Sequence, residues 1–159
     1  MTALTGRERV AAAARELGLD IELVERGPAS SLEEAAAALG VSPSEVVKSL
    51  VVKRKDGTFA FALVPGDRQI SWPKLRSVVG VNKLSLPDAA TAFEATGYER
   101  GTITPLGSST AWPVYADERM LGTRVSLGGG EHHTTFFVDA DALCAALGAT
   151  VADITEPLS

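Results

Sequence analysis

The sequence contains one cysteine, Cys144, which excludes an internal disulfide and a cysteine-rich zinc site. Histidine is almost as scarce, with only the adjacent pair His132-His133. No His-x-x-x-His or Cys pair supplies the ligand spacing a metal needs. If this stretch is extended, neighbouring side chains leave on opposite faces, so both rings cannot chelate one ion. Neither a metal nor a cofactor is therefore expected. No apolar run reaches the roughly 20 residues of a membrane-spanning helix. Arg7, Glu8 and Arg9 precede any apolar block, which argues against a signal peptide. A cytoplasmic location and no membrane partner are the expectation.

Two kinds of catalytic signature are also missing. No Gly-x-Ser-x-Gly elbow is present to raise a nucleophilic serine. The triplet Gly128-Gly129-Gly130 is followed by Glu131-His132-His133 and not by Lys-Ser or Lys-Thr, which excludes a P-loop. Cys144 lies in an alanine- and leucine-rich helical stretch, where a buried, inert thiol is expected.

What is present fits one globular unit, and residues 1–159 are read as a single domain. Hydrophobic residues make up 45% and charged residues 22%, proportions that can build a packed core and do not suit a disordered chain. Net charge is −5, but it is unevenly spread. From Val46 to Ser85 there are eight Lys or Arg against two acidic residues, a local charge of +6, and the remainder carries −11. Such a segment can present a phosphate-attracting face despite an acidic total.

Turn and cap signals divide the chain. Thr5 with Glu8, and Ser31 with Glu34, have capping-box spacing. They predict helices over about 6–17 and 32–39, stopped by Gly18 and Gly40. Ser42-Pro43-Ser44-Glu45 predicts a further, short helix. Ser49–Lys53 and Thr58–Val64 flank Asp56-Gly57, a strong hairpin signal. Lys48 thus falls where a short helix passes into a central strand. Ser71–Val79, Leu86–Ala95 and Ala140–Leu147 read as helices. Ala111–Ala116, Thr123–Leu127 and Thr134–Val138 read as strands. Hairpins in place of regular βαβ units suggest an α+β fold: a mostly antiparallel, barrel-like mixed sheet surrounded by helices.

Three features could carry chemistry. Lys48 is the only cation in the apolar run Val46–Val52; it must either snorkel to water or hold its ammonium over a pocket. The stretch from Thr96 to Gly107 has three glycines and a proline, and such a loop can aim backbone N–H groups at an oxyanion or phosphate. The glycine triplet and one of the two histidines could line a pocket. For each, an ordinary structural role is the competing reading.

Taken together, Val46-Val47-Lys48-Ser49-Leu50-Val51-Val52, Thr96-Gly97-Tyr98, Gly101-Thr102-Ile103-Thr104-Pro105-Leu106-Gly107 and the glycine triplet resemble the YbaK/EbsC family. These are free-standing relatives of the editing domain of bacterial prolyl-tRNA synthetases, and the similarity spans nearly the whole chain in order. The resemblance implies hydrolysis of mischarged aminoacyl-tRNA in trans, with alanine, cysteine or serine removed, and tRNA for proline as the bearer. It makes the tRNA acceptor end the partner, with prolyl-tRNA synthetase a candidate second one. The motif lysine maps onto Lys48, and the motif glycine and proline onto Gly101 and Pro105. Lys48, Gly101 and Thr102 then become the catalytic candidates. Ser49, Tyr98, Ile103, Thr104, Pro105, Gly129, Gly130, His133 and Thr135 become the substrate-binding ones. Some relatives carry an aspartate where this chain has Thr135, so substrate preference need not follow theirs. A non-catalytic module binding tRNA ends or nucleotides, and a metal hydrolase using Glu131 and one histidine, are the rival readings.

Overall fold

The computed structural model describes residues 4–158. The chain opens with helix α1 (Gly6–Glu16), whose N-cap Thr5 and Glu8 form the reciprocal capping box expected. Strand β1 (Glu22–Glu25) and helix α2 (Leu32–Leu39) follow. At α2 the cap differs in detail. Ser31 accepts from the Glu34 N–H, but the Glu34 carboxylate turns to the Ser30 N–H and hydroxyl. Pro43–Glu45 is a single 3-10 turn. Then come β2 (Val47–Arg54), β3 (Phe59–Pro65), β4 (Arg68–Ile70), α3 (Trp72–Val79), β5 (Leu84–Ser85) and α4 (Ala89–Thr96). The last of these starts later than the pattern suggested. Pro87 holds its predecessor extended, and Asp88 accepts from Thr91 N as the N-cap. Strands β6 (Val114–Asp117), β7 (Arg124–Gly128) and β8 (Thr134–Asp139), helix α5 (Ala140–Leu147), and the short β9 (Thr150–Ala152) and β10 (Thr155–Pro157) complete the order.

The fold is α+β with mixed sheets. Five strands run in the order β5-β2-β3-β6-β9, three in the order β1-β8-β7, and β10 pairs with β4. The β3–β6 and β6–β9 pairings are parallel and the other strand pairings are antiparallel. The sheets do not close into one continuous barrel. A single parallel bridge, Val46 to Ser126, joins the five-stranded sheet to β7.

The central sheet is buried on both faces, which is why β3 reads as a near-continuous apolar run. Val47, Val51, Phe61 and Leu63 enter one core with Val10, Leu127, Phe136 and Leu143. The alternate residues Val52, Ala60, Ala62 and Val64 enter a second core with Leu75 and Ile154. Cys144 is buried in the first core, and its thiol is pushed up by desolvation. Among the described residues no helix is long and apolar enough to cross a membrane.

Candidate active site

The failure of the sheets to close creates the site. β2 pairs with β3 along its whole length, but its other edge meets β5 only at Lys53 and Arg54. Beyond the bridge at Val46, β7 diverges. A cleft of about 690 Å³ lies along this open edge, a volume in the range of small-ligand sites. Its floor includes Val47 to Val51, one wall is α2 through Leu32, Ala35 and Leu39, and another is Leu86 to Ala92. Gly101, Ile103, Gly128 and Thr135 complete it.

Lys48 lies on the cleft and is half-buried. Its Nζ donates to the Arg68 carbonyl oxygen at 2.6 Å. That carbonyl is brought near by Gly66, where a Cβ would come within 2.4 Å of the Pro43 oxygen and 2.7 Å of the Val46 oxygen. Only glycine lets the β3–β4 turn pack so closely on the 3-10 turn. Desolvation lowers the Lys48 pKa from the ordinary lysine value, opposed by the charges of Asp67 and Glu33. Arg26 and Arg100 also line the cleft, against the single carboxylate of Asp88.

The Thr96–Gly107 loop is held from behind by Arg9, which sequence reasoning did not single out, and by Tyr98, which it did. Arg9 on α1 donates to the carbonyls of Thr96, Gly97 and Gly107 and lies 4.2 Å over the Tyr98 ring. Tyr98 is buried, and its hydroxyl donates to the Leu106 oxygen at 2.7 Å. Burial raises its pKa to about 12. Tyr98 is therefore a strut of the loop and lies outside the cleft lining.

Of the twelve candidate site residues, the structure brings Lys48, Ser49, Gly101, Ile103 and Thr135 together on the cleft. The others lie outside the cleft lining. Thr102 is buried, and both its N–H and its hydroxyl donate to the Glu99 carbonyl. It cannot offer that N–H to an oxyanion without losing this bond. Thr104 and Pro105 are buried within the loop. Gly129 and Gly130 pack the β7–β8 turn, their N–H groups donating to Thr134 and Thr102 oxygens. A Cβ on Gly6 would sit 1.9 Å from the Gly130 oxygen, and one on Gly130 2.5 Å from the Gly6 oxygen, so these two glycines let the start of α1 approach the turn. His132 and His133 are not extended as supposed. They form the turn itself, His133 with φ 61°, and both are exposed. His132 pairs with Glu99 at 2.9 Å. Thr135 donates to the Leu127 oxygen at 2.5 Å, which leaves its methyl as the part free of hydrogen bonding.

Residues 26–146 match the model of the aminoacyl-tRNA editing domain. The chain belongs to the aminoacyl-tRNA editing domain family. As an editing domain it is a hydrolase, an aminoacyl-tRNA deacylase, and tRNA is its partner. The editing domain is 31% identical over 98 residues to the proline–tRNA ligase of Bacillus licheniformis, covering 62% of this chain and 17% of the relative. Similarity to the proline–tRNA ligase of Thermotoga neapolitana is 32% over 111 residues, or 70% and 19%. The chain thus spans about a fifth of the length of these curated relatives. A crystal structure of a candidate trans-editing enzyme for prolyl tRNA synthetase superposes with a TM-score of 0.87 at 33% identity, covering 98% of this chain and 99% of that one.

Proposed function

We propose that this chain removes a small amino acid such as alanine, cysteine or serine from mischarged tRNA for proline. It would act in trans as one unit, with prolyl-tRNA synthetase as the enzyme whose errors it corrects. The observation that carries this reading is the cleft. It sets a half-buried lysine, two arginines and an open glycine backbone around a volume suited to an aminoacylated ribose. Similarity to the proline–tRNA ligases and to the trans-editing neighbour supports the choice of tRNA.

In this reading Lys48 holds the terminal ribose or its phosphate, and Arg26 and Arg100 hold the preceding phosphates. The Gly101 main chain lies against the acyl group. Water adds to the acyl carbon, and the carbonyl oxygen takes the negative charge. The bond to the ribose oxygen then breaks. The ribose oxygen leaves with a proton, and the amino acid departs as carboxylate with its second proton released to solvent. An ester is already activated, so positioning and electrostatics are enough to supply the rate. Leu127, Ile103 and Ala92 bound the space beside the acyl group. Selection by pocket volume is worth about 1–3 kcal/mol per methylene.

The test is single-turnover deacylation of Ala-, Cys-, Ser- and Pro-charged tRNA for proline, with wild type and Lys48→Ala. The expected result is cleavage of at least one small mischarged amino acid, sparing of Pro-tRNA, and a loss of about 100-fold on removing Lys48, the scale of one transition-state contact. Binding of the acceptor end with no turnover of any charged tRNA would instead indicate a non-catalytic module.

A further inference from the structure

The hairpin between β2 and β3 decides which main-chain groups face the cleft. Arg54 N–H donates to the Thr58 oxygen, and Gly57 N–H donates to the Arg54 oxygen. This is a three-residue loop with Gly57 at φ 87°. Bonding alternates along an antiparallel ladder, and the register pairs Val52 with Ala60, Leu50 with Ala62 and Lys48 with Val64. These even-numbered residues therefore direct N–H and C=O toward β3. Ser49 and Val51 direct theirs to the opposite edge, the one along which the cleft runs. β5 takes that edge only at Lys53 and Arg54, and β7 meets it only at Val46. Among the described residues no strand pairs with it at Ser49 or Val51. A second observation falls on the same residue: the Ser49 hydroxyl is buried without a hydrogen-bond partner and lines the cleft.

We propose that Ser49 recognises the aminoacyl group by pairing with it as one strand residue pairs with another. In an antiparallel hydrogen-bonded pair, two residues exchange both of their main-chain bonds. An α-aminoacyl ester carries the same two groups, an α-ammonium donor and a carbonyl acceptor, on either side of one Cα. The Ser49 C=O accepts from the α-ammonium, and the Ser49 N–H donates to the ester carbonyl. That N–H then faces the oxygen on which charge develops during hydrolysis. This supplies an oxyanion donor from β2, where Thr102 has none free.

The pairing also fixes handedness. Directly opposed residues put their side chains on the same face. An L-aminoacyl side chain would therefore lie on the Ser49 face, the one shared by Val47 and Val51 and bounded by Leu127 and Ala92. A D-aminoacyl side chain would be turned to the face of Lys48 and Leu50. Recognition becomes general for L-α-amino acids, and the choice among them is left to the walls. The inference rests on the deacylase reading for its substrate, but its test does not require turnover.

The probe is a non-hydrolysable 3′-alanylamido analogue of the tRNA acceptor end, titrated by calorimetry beside its N-acetyl and D-alanyl counterparts. The L-alanyl form with a free ammonium should bind at least about 10-fold more tightly than either, the scale of about one charge-assisted hydrogen bond. Alongside it, Ser49→Pro removes, together with the hydroxyl, an N–H that points away from β3, at a position where an edge strand tolerates proline. With an unchanged far-UV spectrum, it should bind the L-alanyl analogue at least about 10-fold more weakly than Ser49→Ala, which removes the hydroxyl alone. Binding of the three analogues within about 2-fold overturns the proposal, as does a folded Ser49→Pro that matches Ser49→Ala. If the wild type discriminates among the analogues yet cleaves no charged tRNA, the pairing stands and the deacylase reading falls.

Discussion

The Lys48 ammonium and the Arg68 carbonyl oxygen lie 2.6 Å apart, and Arg68 is itself fastened at its other end. Its Nε donates to the Thr155 hydroxyl at 2.7 Å, and that hydroxyl donates to the Asp117 carboxylate at 3.0 Å. Asp117 is fully buried and also accepts from Arg119 and from the Ile154 N–H. A chain of bonds thus runs from a buried carboxylate through the C-terminal strand to the cleft lysine. Thr155→Val cuts it at its middle. The expected outcome is a loss of about 1 kcal/mol by urea unfolding, the net worth of a typical hydrogen bond. Deacylation should slow several-fold. Thr155→Ser should restore both.

The depressed pKa of Lys48 gives a second expectation with a definite sign. Burial lowers it from 10.5, so between the folded value and 10.5 the unfolded chain binds more protons and stability rises with pH. Below that window the ammonium is present in both states and its desolvation counts against the fold. Lys48→Met should therefore raise Tm at neutral pH while slowing deacylation about 100-fold. Its advantage should shrink as pH climbs through the window. Thermal melts of both proteins from pH 7 to 10.5 check this; an advantage that grows with pH would contradict it.

Arg9 binds three carbonyls of the loop with one guanidinium. Arg9→Ala leaves those oxygens without their donor. At about 1.5–3 kcal/mol per hydrogen bond to a charged group, a destabilisation of about 3 kcal/mol is expected. Hydrogen exchange should rise over residues 96–107. Arg9→Lys should recover little, since an ammonium cannot reproduce the planar fork.

Gly6→Ala tests the close approach of α1 to the glycine turn. The added methyl would meet the Gly130 oxygen at 1.9 Å, so backbone must move. Overpacking of this kind costs about 1–3 kcal/mol, readable as a lower urea midpoint. Gly101→Ala meets no atom within 4 Å and pays only for its φ of 90°, about 1–2 kcal/mol. Gly6→Ala should therefore be the more damaging of the two, although Gly101 sits on the cleft and Gly6 does not.

Local signals carried much of this fold. The caps at Thr5 and Ser31, the stops at Gly40, Gly80 and Gly97, and the Asp56-Gly57 hairpin act within a few residues and are readable there. β4 and β10 are three residues each and meet across the chain, and the parallel β3–β6 and β6–β9 pairings join segments far apart in sequence. Neither has a short-range signature. The same limit applied to the site. Lys48 stood out because a cation interrupted an apolar run. Leu32, Ala35 and Leu39 did not, because a helix face turned to a cleft has the same apolar spacing as one turned to a core. Tyr98, Thr102 and Thr104 became candidates through the resemblance of the glycine-rich loop to a family motif, which does not say where each side chain points. Their hydroxyls bond main-chain atoms that keep the loop in shape.

An unpaired strand edge is also a template for any extended chain that reaches it, the usual beginning of strand-mediated aggregation. Here that edge is shielded by α2 on one side and by Leu86–Ala92 on the other. These walls have a protective duty beyond shaping a pocket. Substitutions that loosen α2, far from any reacting atom, would put solubility at risk together with selectivity. Walls that admit a substrate to these open amides must also keep a neighbouring chain from pairing with them.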